Sequence, residues 1–134
     1  MQPPDPDDIP RERVVFDASV LLGDRRRRLF AAADLNYYTG YWSSWIISEL
    51  VRKRTEWIAE RAARDRCDRR EMRRRLLESR GRVNALVDEL SHILKSVDYG
   101  QVPPANVDWL QDRDDRPVIQ TALAAQADTL VTDN

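Results

Sequence analysis

The stretch RVVFDASVLL, Arg13 to Leu22, decides how the rest of the chain is read. Val14, Val15 and Phe16 form an apolar, β-branched run too short for a helix, and an acid, Asp17, closes it. Consecutive apolar residues without alternation mark a strand covered on both faces, as in the middle of a parallel sheet. An acid at the end of such a strand stands where ligands gather in open α/β sheets, at the carboxyl edge.

Working outward, Ser19 to Ala33 reads as a loop running into a helix, with Leu21, Leu22, Leu29 and Phe30 as its apolar positions. The aromatic segment Leu35–Trp42 suits a second strand. Ser43 or Ser44 can cap the helix that follows, whose apolar side is marked by Trp45, Ile46, Leu50, Trp57 and Ile58. That helix should lose order near Asp65–Asp68. A second long helix carries Leu76, Val83, Leu86, Val87, Leu90, Ile93 and Leu94 at helical spacing. Ser96–Tyr99 reads as a short strand and is followed by a proline-broken connection. Pro117 suits the first turn of a helix from about Arg116 to Gln126, and Thr129–Asp133 is a last strand. Strands alternating with helices predict an α/β fold of three layers, a central parallel sheet flanked by helices. Residues 1–12, with four prolines, read as a flexible acidic leader, and residues 13–134 as one domain.

The chain has 134 residues and one cysteine, Cys67, which excludes an internal disulfide framework and fits a reducing compartment. The opening MQPPDPDDIP lacks the basic start and apolar run of a signal peptide, and no stretch reaches the roughly 20 apolar residues of a membrane span. A cytoplasmic protein with no membrane partner is expected. The net charge of −1 hides an asymmetry: residues 52–82 hold thirteen Arg or Lys against six acids, and residues 98–134 hold seven acids against two Arg. The first segment is suited to phosphate and the second to a cation.

The acids fall at four telling places. Asp17 ends the first strand, Glu49 lies near the start of the helix after the second, Asp115 precedes Pro117, and Asp133 closes the last strand. In a parallel sheet these places converge on one edge. Carboxylates brought together repel one another, and hard divalent cations with oxygen ligands are their natural counter-ions. Each acid has an ordinary alternative: Asp17 and Asp115 as helix caps, Glu49 as a solvated helix residue, and Asp133 as a loop acid. Cys67 and His92 lack zinc-ligand spacing.

The segments VVFDASVLL, SELVRK and DRDDRPVIQTALAAQADTLVTDN together resemble the PIN domain of VapC-type toxins and related nucleases, over residues 13–134. The resemblance implies a Mg²⁺- or Mn²⁺-dependent ribonuclease, often dimeric, with the toxins held inactive by a cognate antitoxin. It matches Asp17, Ser19, Glu49 and Asp115 to family positions. Chains of that family usually run past the last strand into a further acid, strand and helix. A missing C-terminal segment is therefore expected here, with Asp133 as fourth ligand or Asn134 in its place.

On this reading Asp17, Glu49, Asp115 and Asp133 hold the metal, while Ser19, Thr132 and Asn134 orient ligands or water. Arg52, Lys53 and Arg54 steer the RNA backbone. The Arg73–Arg75 run extends that track or is a solvated helix face paired with Glu71 and Glu78. The alternative is a catalytically impaired PIN-like binding module acting through an antitoxin or partner subunit. A haloacid-dehalogenase-type phosphatase ranks lower, because it needs a second Asp where this chain has Ser19.

Overall fold

The computed structural model describes residues 2–3, 11–23, 26–34 and 37–132. Most of the expected leader, and the whole of Asp133 and Asn134, lie outside those residues.

Four strands form one sheet in the order β3-β2-β1-β4. They are β1 (Glu12–Phe16), β2 (Tyr38–Trp42), β3 (Lys95–Ser96) and β4 (Thr129–Val131). Every pairing is parallel, with Val14 opposite Gly40 on one side of β1 and Thr129 on the other. Strand β1 is thus internal, and Val14, Val15 and Phe16 are all buried, as their unbroken apolar run requires. Gly40 is at the centre of β2 because a β-carbon there would come within 2.5 Å of Leu94 Cδ2.

Among the described residues five α-helices accompany the sheet: α1 (Ala18–Leu21), α2 (Arg26–Asp34), α3 (Ser44–Arg64), α4 (Arg69–Ser91) and α5 (Arg116–Ala124). The segment after Asp17 is therefore a short helix at once, not the loop expected there. The break between α3 and α4 falls at Asp65–Asp68, where Arg66 takes a positive φ of 54° and the Asp68 carboxylate accepts from the Glu71 N–H to open α4. The expected strand at Ser96–Tyr99 shortens to Lys95–Ser96. Asp98 turns the chain by accepting from the Gly100 N–H at 2.9 Å, and a 3-10 turn follows at Tyr99–Gln101.

The core joins β1 and β2 to the inner sides of α1, α3 and α4 through Phe16, Leu21, Trp42, Ile46, Leu50 and Leu90, each almost wholly buried. Two polar contacts fix α5. The Gln120 side-chain amide donates to the Val102 carbonyl at 2.9 Å, holding the connection after β3. Thr121 Oγ1 donates to the Pro117 carbonyl at 2.7 Å, which leaves it to accept from Ser43 Oγ, also at 2.7 Å. Both residues of that hydroxyl pair are completely buried. Ser43 caps α3 by position, yet its side chain is spent on α5 and not on its own helix.

Candidate metal and nuclease site

Because the strands are parallel, their carboxyl ends share one edge, and Asp17 stands at the end of the internal strand. Its backbone N–H donates to the Val131 carbonyl at 2.9 Å, fastening it to the end of β4. Its side chain caps α1, with Oδ1 accepting from the Ala18 N–H at 2.8 Å. The other oxygen, Oδ2, accepts from Ser19 Oγ at 3.2 Å and from Thr132 Oγ1 at 3.3 Å. Both hydroxyls expected to orient a ligand therefore meet on one carboxylate oxygen. One oxygen of Asp17 thus caps α1 and the other gathers the two hydroxyls.

Asp115 occupies the cap position of α5 without making a side-chain cap bond. With Asp17 and Thr132 it borders a cavity of about 180 Å³ whose other walls are Leu110, Val118, Ile119 and Leu130. Two carboxylates thus face one small cleft with an apolar floor. Desolvation lifts the Asp115 carboxyl above its ordinary value, and the charges of Asp112, Asp17 and Asp114 add to the rise, while Lys53 opposes it. The residue is exposed, so the neighbouring carboxylates are the more telling cause. Asp112 and Asp114 form a local turn, with Asp112 Oδ1 accepting from the Asp114 N–H at 2.9 Å. They also add to the negative field at Asp115.

Glu49 is placed differently. Both of its oxygens accept from Arg52, at 2.9 Å from Nε and 2.7 Å from Nη2, and Arg52 also reaches Glu56 at 2.9 Å. The Glu49 side chain keeps only 13% of its exposure. It does not border the Asp17–Asp115 cleft. Trp45, Glu49 and Lys53 nevertheless recur at four-residue spacing and share one side of α3. Lys53, the last of that row, is the cation that opposes the rise at Asp115.

Among the described residues no three His, Cys, Asp or Glu side chains are grouped to hold a metal ion. A Mg²⁺-type ion needs fewer: one or two carboxylates and several waters satisfy it. Asp17 and Asp115, to which no arginine is bonded among the described residues, fit that minimal set. Glu49 joins it only by leaving Arg52.

Of the basic residues expected to steer a substrate, Arg52 is engaged by two glutamates, Lys53 is half-buried, and Arg54 lies over the Trp57 ring at 4.7 Å. The Arg73–Arg75 run is largely a paired helix face: Arg74 bridges Glu71 and Glu78, and Arg75 bridges Asp65 and Glu71. His92 ends α4 in an exposed position, and Cys67 sits in the turn between α3 and α4.

A parallel sheet flanked by helices, with Asp17 and Asp115 bordering one cleft, defines an α/β protein of three layers. The family model of the PIN domain matches residues 13–134, and the chain belongs to the PIN domain family. No curated protein and no solved structure matches it. PIN domains are in general nucleases that bind RNA and typically use divalent metals. Among the described residues no helix is long and apolar enough to cross a membrane.

Proposed function

We propose that this protein is a Mg²⁺- or Mn²⁺-dependent endoribonuclease whose metal is held first by Asp17 and Asp115. The observation that carries the reading is their convergence on one cleft at the carboxyl ends of β1 and β4. A bound divalent ion would polarise the phosphodiester and lower the pKa of a water. The chain's own residues have separable tasks. Asp17 presents one oxygen to the cleft, with Ser19 and Thr132 fixing its orientation. Asp115 completes the pair, and Lys53 offsets part of the negative charge a phosphate would meet. Glu49, Asp133 and Asn134 are proposed as further ligands or ligand supports, and Arg52 and Arg54 as backbone contacts. The role of a type II toxin, with a cognate antitoxin, a homodimeric state and a cytoplasmic setting, rests on the motif resemblance alone.

One observation favours a second reading, a binding module with impaired catalysis: Glu49 is clamped by Arg52 away from the cleft. Incubation of a mixed RNA pool with Mg²⁺ or Mn²⁺, beside EDTA and Asp17→Ala controls, separates the two. Cleavage that disappears in both controls supports the nuclease. A folded protein that cuts nothing, with or without metal, supports the binding module.

A further inference from the structure

The larger basic feature of the molecule is away from the acidic cleft. A cavity of about 520 Å³ opens between the residues after α1 and the helices α2, α3 and α4, lined by Leu22, Gly23, Arg27, Arg54 and Arg82 over Val83 and Leu86. Three guanidinium groups from three different helices line it, and among the described residues no acid does. A second cavity of about 340 Å³ shares Arg54 and Arg82 and adds Trp57 and Arg61, together with Glu78 and Asp65, which pair with Arg74 and Arg75. Trp57 holds Arg54 at 4.7 Å and Arg61 at 5.2 Å from its ring centroid, which positions two of the cations by their flat faces.

The chemistry of this groove is that of an anion site. Guanidinium forks bind phosphate oxygens in pairs, and an apolar floor accommodates the face of a base. Its continuity over two cavities suits an extended polyanion better than a single phosphate. Its near end starts at Leu22 and Gly23, and Asp17 caps the helix that leads there, about 8 Å away at the helical rise per residue.

We propose that the Arg27–Arg54–Arg82 groove is a binding site for a stretch of single-stranded polynucleotide lying outside the carboxylate cleft. The identity of the ligand rests on the nuclease reading, while the site itself does not. Arg54 lines this groove together with Arg27 and Arg82. Arg27 and Arg82 lie 55 residues apart in the chain, so no spacing in the sequence joins them.

The test is fluorescence anisotropy of the full chain with a labelled 12-nucleotide single-stranded RNA in EDTA, where no metal-dependent cutting intervenes. Arg54→Gln/Arg82→Gln should weaken binding at least tenfold and lower the salt dependence by about 1.4 in the log–log slope, two contacts at about 0.7 each. Arg69→Gln/Arg80→Gln removes the same charge from a different groove of the α3–α4 pair and should stay within twofold of the unaltered protein. Equal weakening by both variants, or none by the first, overturns the proposal. So does inorganic pyrophosphate competing as well as the RNA, which would mark a small-anion site. Binding that behaves as stated in a protein that cuts no RNA would sink the nuclease reading and leave the groove standing.

Discussion

Replacing Thr121 by Val tests how α5 is held in place to bring Asp115 beside Asp17. The two side chains have nearly the same shape, so the change removes a hydroxyl and little else. Ser43 Oγ then loses its acceptor in a place where both residues are completely inaccessible. A buried donor left without a partner costs about 1–3 kcal/mol. At a urea slope near 2 kcal/mol/M for a domain of this size, the unfolding midpoint should fall by about 0.5–1.5 M. Adding Ser43→Ala removes the orphaned group as well, and the double variant should be less destabilised than the two single changes summed, because losing both partners is far cheaper than losing one. Urea unfolding followed by circular dichroism measures all four proteins. A Thr121→Val protein within 0.5 kcal/mol of the unaltered one, or strict additivity around the cycle, would refute the reasoning and with it the claim that this pair joins α3 to α5.

Two further outcomes are expected. Gly40→Ala should destabilise by about 1–3 kcal/mol, because its β-carbon would stand 2.5 Å from Leu94 Cδ2 and 3.3 Å from Phe16 Cε2. Part of that loss should return when Leu94 is shortened to Ala in the same chain, and an unchanged urea midpoint for Gly40→Ala would contradict the packing of β2. The second outcome concerns pH. Hydrogen bonds from Arg74 and then Arg75 hold the Glu71 carboxyl down to about 2, from an ordinary 4.5. A depressed carboxylate contributes its stability above the ordinary value and loses it as pH falls toward the folded one. The stability gap between the unaltered protein and Glu71→Gln should therefore be constant above pH 4.5 and close progressively toward pH 2. A gap that does not change over that window would show that these exposed ion pairs contribute nothing, as many surface pairs do.

Much of the framework was legible in local chemistry. The run Val14–Phe16 announced an internal parallel strand, Pro117 marked the start of α5, and the polar block at Asp65–Asp68 marked the break between the long helices. Residues that turn the chain through their side chains were harder to place, as Asp98 shows by cutting β3 to two residues. Of the residues the sequence singled out, Ser19 and Thr132 bond to Asp17, and Asp115 borders a cleft with Asp17 and Thr132. What position could not decide is where a long side chain turns. Glu49 has Arg52 three residues on, a spacing at which an ion pair competes with any other use of the carboxylate, and the pair has formed. The arginine groove was invisible for another reason. Its members come from three helices, while the conspicuous Arg73–Arg75 run is occupied largely by its own acidic neighbours.

Calorimetric titration with Mn²⁺, comparing the unaltered protein with Asp17→Asn and Asp115→Asn, addresses the acidic cleft most directly. Asparagine keeps the acceptor that Asp17 offers to the Ala18 N–H, so the cap survives, while the charge and the oxygen that accepts from Ser19 and Thr132 are lost. The account predicts one Mn²⁺ bound by the unaltered protein, no detectable binding by Asp17→Asn, and at least tenfold weaker binding by Asp115→Asn. Equal affinity in all three proteins would place the cation elsewhere and contradict the assignment of this cleft as the metal site.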